Sequence, residues 1–269
     1  MKELCTAISM PEEVTAKVLE IHQDPAFHPS LQKLLREETW AEGLDQLRQE
    51  LGEDPLGLRM LTAQLRCALQ AWETYEKLGI SRQIYVDTMA AFSRFVREHM
   101  DSFGAYGFDR GFWTVRQVSC KLFRVGELEY ELHYVEGSPF VSLHVPSDIH
   151  FGPEGLRASW EQAKGELLPK FPEYETAPMG CDPTWLLSPE LKEMLPEKSN
   201  ILAFQKSFQV EVQEPEMEEL LQWVFKDPRL SYEQLPEDTS LQRKIKALLL
   251  SGRTFHFGSG LMVADPFRS

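Results

Sequence analysis

The sequence predicts an α+β protein, with a helical N-terminal half followed by a half that carries strands. Three observations point there. From Pro11 to about Met100 apolar residues recur at three- and four-residue steps with little β-branched clustering. Beyond the glycine-rich stretch DSFGAYGFDRG the period becomes two from Phe112 onward, so the two patterns occupy different parts of the chain. We place the join there, with residues 1–108 as a helical domain and 109–269 as the second domain.

The elements follow in order. In LRMLTAQLRCALQAWETYEKLG the residues Leu58, Leu61, Leu65, Leu69, Trp72 and Tyr75 share one stripe, and Gly79 closes the last turn. Ser81 then caps a helix with Tyr85, Thr88, Met89, Phe92, Phe95 and Val96 on its inner side. Val118, Cys120 and Leu122 alternate with Ser119 and Lys121, which reads as a strand. In ELEYELHY the apolar Leu128, Tyr130, Leu132 and Tyr134 alternate with Glu127, Glu129, Glu131 and His133, giving an acidic face expected to be solvated. A three-residue loop, Val125-Gly126-Glu127, would set Leu122 opposite Tyr130 and Lys121 opposite Glu131. PFVSLHVP is a third strand, SDIHFG a loop, and PEGLRASWEQAKGELL a helix with Pro153 in its first turn. SPELKEML reads as a short helix capped by Ser188, and NILAFQKSFQVEV as a strand. Residues 212–236 are placed at the surface. A helix from about Asp238 to Leu250, capped by Thr239 or Asp238 and closed by Gly252, leads into a last strand, RTFHFGSGLMVA.

Composition narrows the function. The chain has 42 acidic and 28 basic residues, a net charge of -14, and so lacks the basic footprint that nucleic acid requires. No apolar run approaches the roughly 20 residues needed to span a bilayer, and the first residues lack a signal-peptide pattern, so a cytoplasmic protein without a membrane partner is expected. Cys5, Cys67, Cys120 and Cys181 lie far apart without a CxxC pair, which supports neither a disulfide framework nor zinc.

The strand, loop and helix from His144 to Trp160 are the best functional candidate. His144 sits near a strand's end, where an imidazole titrating near neutrality can act as a general base or simply bond to backbone. No metal spacing joins it to His133, His150 or His256. The helix that follows presents unpaired amides and its positive dipole end, Gly152 and Gly155 permit close approach of a pyrophosphate, and Arg157 can add a charge-assisted contact. Glu129 is a second candidate base. Trp185 either walls a pocket or fills core, and Asn200 either orients a substrate amide or forms a turn. Cys181 with His144 would be the pair for a hydrolase, though no nucleophile signature surrounds it.

The segments RQVSCKLFRVGELEYELHY, VSLHVPSD, SWEQAKGELL, CDPTWLLSPELKEMLPEKSNILAFQKSF and LPEDTSLQRKIKALLLSG, with GISRQIYVDTMAAFSRFVREH and GFDRGFWTVRQ before them, resemble a bacterial two-domain family. Its members are described as acyltransferase-domain-containing, with a helical N-acyltransferase N-terminal domain and a C-terminal domain similar to the GCN5-related N-acetyltransferase (GNAT) fold. The resemblance implies a mixed α/β domain around a central, mostly antiparallel sheet. It also implies an acyl-CoA co-substrate such as acetyl-CoA, no metal, and a small-molecule amine as acceptor. The pyrophosphate would rest on His150 to Arg157, gripped by backbone at Gly152, Gly155 and Leu156 with help from Arg157. On this basis an acyl-CoA-dependent N-acyltransferase is expected, with His144 as base and Glu129 in reserve. The alternative is a non-catalytic module for a small molecule or glycan, favoured by HFGPEG, whose glycines depart from the usual enzyme spacing and whose proline removes an amide donor.

Overall fold

Capped, amphipathic sequence builds the first half. Among the residues described by the computed structural model, 1–23 and 29–267, the chain begins with α1 (Lys2–Ala7), α2 (Glu12–His22), α3 (Leu31–Leu34) and α4 (Trp40–Leu51). The helical spacing read across 24–28 lies outside the described residues. Next come α5 (Leu58–Leu78), which ends at Gly79 with φ +65°, and α6 (Arg82–Phe103), whose cap Ser81 accepts from the Ile84 amide. Every inner residue expected of α6 is buried. On α5 the buried face turns toward Cys67, Ala68 and Ala71, leaving Leu69 exposed.

The segment from Phe112 corrects the sequence reading. GFWTVRQV is a helix, α7 (Gly111–Val118), packed on α5 with the Gln64 amide donating to Gly111 O at 2.9 Å. Its mixture of β-branched and aromatic residues hides the helical period. Strands begin only at β1 (Leu122–Val125), followed by β2 (Leu128–Val135) and β3 (Ser138–His144). The β1–β2 turn is one residue tighter than expected: Gly126 (φ +61°) and Glu127 form it, so Phe123 faces Tyr130 and Leu122 faces Glu131. Leu122 and Phe123 are both fully buried, so neither face of β1 meets water and alternation could not fix its register.

Helix α8 (Pro153–Gln162) follows, with Pro153 in its first turn as expected. After β4 (Met179–Thr184) comes α9, confined to Leu191–Met194; Ser188, expected as its cap, donates instead to the Glu190 carboxylate at 2.8 Å. NILAFQ is not strand but helix α10 (Asn200–Gln205), capped by Ser199, and β5 is limited to Phe208–Gln213. Residues 217–224, expected at the surface, form α11 (Met217–Val224), whose Leu220 and Leu221 pack with Leu191, Ile245 and Phe257 in a second core. Helix α12 (Ser240–Leu250) carries a capping box between Thr239 and Gln242, and β6 (Phe257–Met262) completes the sheet.

The sheet order is β1-β2-β3-β4-β6-β5, antiparallel throughout except for β3 beside β4. This is the helical half followed by a mixed α/β half with a mostly antiparallel sheet that the fold reading anticipated. The main core is continuous from the helices into β1, β2 and β3. Helix α6 lies on β1, where Thr88 Oγ1 accepts from the Arg124 amide at 2.9 Å. No helix among the described residues is long and apolar enough to cross a membrane.

Candidate active site

The parallel strands β3 and β4 stay together for only two residue pairs, Val141 with Met179 and Ser142 with Gly180. Beyond them the strands part. On β4 the ladder to β6 shifts register between Cys181 and Thr184, and Pro183 has no amide to offer a neighbour. The opening is a cleft of about 560 Å³. Arg94, Trp113, Arg116, Glu129, Glu131 and His144 line its polar side, and Ile149, Phe151, Trp185, Leu186, Ile201 and Phe257 its apolar side.

The acidic face of β2 is not solvated. Glu129 and Glu131 are 2% and 7% exposed, because α6 and α7 supply arginines that cover them. Arg94 Nη2 donates to Glu129 at 2.9 Å, and its Nη1 lies 3.6 Å from Asp148. Burial works against the charge on Arg94, but Glu129 and Asp148 outweigh it and raise the pKa.

Glu131 has two partners. One oxygen accepts from Arg116 Nε at 2.9 Å; the other is 2.8 Å from His144 Nε2. Burial opposes its ionisation, yet the hydrogen bond and charge of His144, together with Arg116, hold its carboxyl down at about 2. An ionised carboxylate only accepts hydrogen bonds, so the proton between the two groups belongs to His144 Nε2. In the neutral ring Nδ1 is then the basic nitrogen, and among the described residues it has no hydrogen-bond partner. Trp113 meets the imidazole edge-on, with ring centres 5.0 Å apart.

Charged groups continue to the mouth of the cleft. Lys226, just past α11, lies 3.7 Å from Glu98, which also accepts from Ser147. On β4, Asp182 is 3.6 Å from His133 Nε2. Trp223 of α11 packs against Phe95 and Trp113 and closes one side.

Of the residues singled out from sequence, the structure brings His144, Glu129 and Trp185 to this cleft. Asn200 opens α10 and is exposed; its neighbour Ile201 lines the cleft. Gly152, Gly155, Leu156 and Arg157 form the start of α8, beyond the residues that line the cleft. There the Gly152 amide donates to His150 O and the Leu156 amide to Gly152 O. The amides of Glu154 and Gly155 find no partner among the described residues, as expected in a first turn without a side-chain cap. Arg157 is paired with Glu161 and Asp265, each at 3.1 Å. Glu127 accepts from the His150 amide at 3.0 Å, which sets a carboxylate beside this helix start.

The hydrolase reading of Cys181 fails on its environment. Burial, with Asp182 nearby, pushes the thiol up, so it stays protonated near neutrality. Sequence reasoning missed Arg116, Arg94, Lys226 and Trp223 as site residues, and reached Glu131 only as one of an acidic row, with Glu127 and Glu129, that could hold a base or be a solvated strand face. The one signal available was the pair of arginines, Arg94 and Arg116, on helices flanking a strand with alternate carboxylates.

Family models match the chain in two blocks: an N-acyltransferase N-terminal domain over residues 1–120 and a GNAT-like C-terminal domain over residues 122–262. No curated protein matches the sequence. Among solved structures, an acyltransferase variant in complex with octanoyl-CoA superposes with a TM-score of 0.78 at 22% identity, over 97% of this chain and 86% of that one. An acyltransferase in complex with decanoyl-CoA gives 0.75 at 22% identity over the same shares. An acyltransferase in complex with decanoyl-CoA and teicoplanin gives 0.69 at 21% identity, over 97% of this chain and 98% of that one. At such identities the likeness establishes the fold, while the two family models span nearly the whole sequence. The chain therefore belongs to the two-domain acyltransferase family that joins an N-acyltransferase N-terminal domain to a GNAT-like C-terminal domain.

Proposed function

We propose that this protein transfers an acyl group from acyl-CoA to the amine of a small molecule, with His144 as the general base. The observation that carries the reading is the His144–Glu131 pair, 2.8 Å apart, on the wall of the cleft that opens where β3 and β4 diverge. The complexes of similar structures with octanoyl-CoA, decanoyl-CoA and teicoplanin support it.

The thioester lies between the parted strands, its acyl chain, acetyl or longer, along Ile149, Phe151, Trp185 and Ile201. The Val141 amide points across to β4, donating to Pro178 O, so by strand alternation the Val145 amide points the same way, past the end of the pairing. That amide can bond the oxyanion that forms as the amine attacks the carbonyl carbon. His144 Nδ1 takes the proton from the attacking nitrogen, and the resulting imidazolium, stabilised by Glu131, supplies the proton for the departing thiolate. The pyrophosphate rests at the start of α8, on the amides of Glu154 and Gly155 beside Gly152 and Leu156, with Arg157 nearby. Asp182 on the cleft wall contributes negative potential that draws in a cationic amine, which gives one proton to water before it attacks.

The test is thiol release from acetyl-, octanoyl- and decanoyl-CoA with a panel of small amines. Wild type turns over, and His144→Ala lowers kcat by about 10²–10⁴-fold, the usual worth of a general base. No thiol release, with no heat on titrating millimolar acyl-CoA, would overturn the reading. The Glu127 carboxylate beside the helix start favours a second reading, a non-catalytic small-molecule or glycan-binding module. Ligand binding without any acyl transfer would establish that one.

A further inference from the structure

We propose that Arg116, contributed by the helical half, is a positioning residue that balances the charge of Glu131 and so leaves His144 available as a base. The inference rests on the reading of His144 as the general base, and it assigns part of the active site to residues 1–120, the block matched by the N-acyltransferase N-terminal domain model.

Arg116 is held on three sides. Its Nε donates to Glu131 at 2.9 Å, its Nη1 donates to Phe112 O at 3.2 Å, and its guanidinium lies over two indoles, Trp113 at 4.5 Å and Trp40 at 5.6 Å. A planar cation between aromatic rings keeps its orientation, and a lysine would reproduce the charge but neither the stacking nor the fork. Trp113 also meets His144 at 5.0 Å, so one indole orients both ends of the row from Arg116 through Glu131 to His144.

The charges facing Glu131 can be named element by element. Arg116 comes from α7, His144 from β3 and His133 from β2 itself. The next carboxylate along β2, Glu129, is matched by Arg94 of α6, and His133 is beside Asp182 of β4. Arg94 is thus committed elsewhere, and Arg116 is the fixed cation on Glu131. With it, the carboxylate needs no proton on the imidazole to balance its charge. Without it, the imidazolium becomes the balancing cation and the pair retains its last proton to higher pH.

The experiment follows the coupled titration of the His144–Glu131 pair at the imidazole ring protons by NMR, in wild type, Arg116→Gln and Arg116→Lys, with no substrate present. The Gln variant should titrate about one unit higher than wild type, the usual effect of removing one near charge, and the Lys variant should fall between them. Where turnover is measurable, the acidic limb of kcat/KM should move with the NMR midpoint, and kcat near neutrality should fall about tenfold while KM for acyl-CoA holds within about twofold. A Gln variant that titrates as wild type, or Gln and Lys variants that shift equally, would overturn the role of Arg116. If Arg116→Gln fails to fold, Trp40→Leu loosens the stack without touching Glu131 and should shift the midpoint in the same direction. The two readings separate cleanly. A shifted midpoint supports the positioning role even if no amine is acylated, whereas turnover with an unmoved midpoint sinks that role and leaves the transferase.

Discussion

Arg94 on α6 and Glu129 on β2 are joined at 2.9 Å with side chains only 6% and 3% exposed, so an ion pair fastens the helical half to the sheet inside the protein. Taking one partner away leaves a buried charge with nothing to balance it. Arg94→Met should cost about 3–5 kcal/mol, while the double change Arg94→Met with Glu129→Met should cost distinctly less. Urea unfolding of the three proteins checks this, and a double variant no better than the single one would contradict it.

Acid stability depends on Glu131. Its carboxyl is depressed to about 2 in the folded protein from an ordinary value of 4.5, so its contribution is fully present above 4.5 and disappears as pH falls through about 2. The shift corresponds to a contribution on the order of 3 kcal/mol. Between pH 5 and pH 2.5 wild type should lose more stability than Glu131→Gln, measured as denaturant midpoints; parallel losses would refute the assignment.

The carboxylate of Glu127 bonds the His150 amide next to the helix start proposed for pyrophosphate. Like charges at close range repel, most strongly at low ionic strength. Glu127→Gln should therefore bind CoA several-fold tighter by calorimetry, with the gain shrinking as salt is added. Weaker binding at low salt would remove the pyrophosphate from this place.

Gly180 sits where β3 and β4 make their last pair, and a β-carbon there would collide with the Gly260 carbonyl and come within 2.9 Å of the Phe140 ring. Backbone on one side and a packed ring on the other leave little room for adjustment. Gly180→Ala should cost about 1–3 kcal/mol, the range for overpacking. At this chain length that lowers Tm by several degrees. An unchanged melting curve would mean that the strands yield.

What the sequence disclosed divides along the reach of the interactions. Helices α5, α6 and α12 declared themselves because their signals are local: Gly79, Ser81 and Thr239 act within four residues of where they stand. β1 lost its register because both of its faces are buried, and α7 passed for strand because its β-branched and aromatic residues mask the helical period. The site was legible in part. His144 was reached through its place at a strand's end, but the neighbouring carboxylates looked like a solvated face, since Arg94 is 35 residues from Glu129 and Arg116 is 15 from Glu131. Trp223 and Lys226 reach the cleft from a segment whose sequence reads only as an acidic amphipathic patch.

Strand β6 lies between β4 and β5 although it follows both in the chain, and it is the sole neighbour of β5 in the sheet. During synthesis, β1, β2 and β3 can therefore zip together and set His144 beside Glu131 while β4 has no outer partner to hold it. The β4 bank of the groove gains its outer neighbour only when β6, the last strand in the chain, is in place. A polypeptide clipped before β6 keeps the strands that set His144 beside Glu131 but leaves β4 and β5 without the neighbour they share.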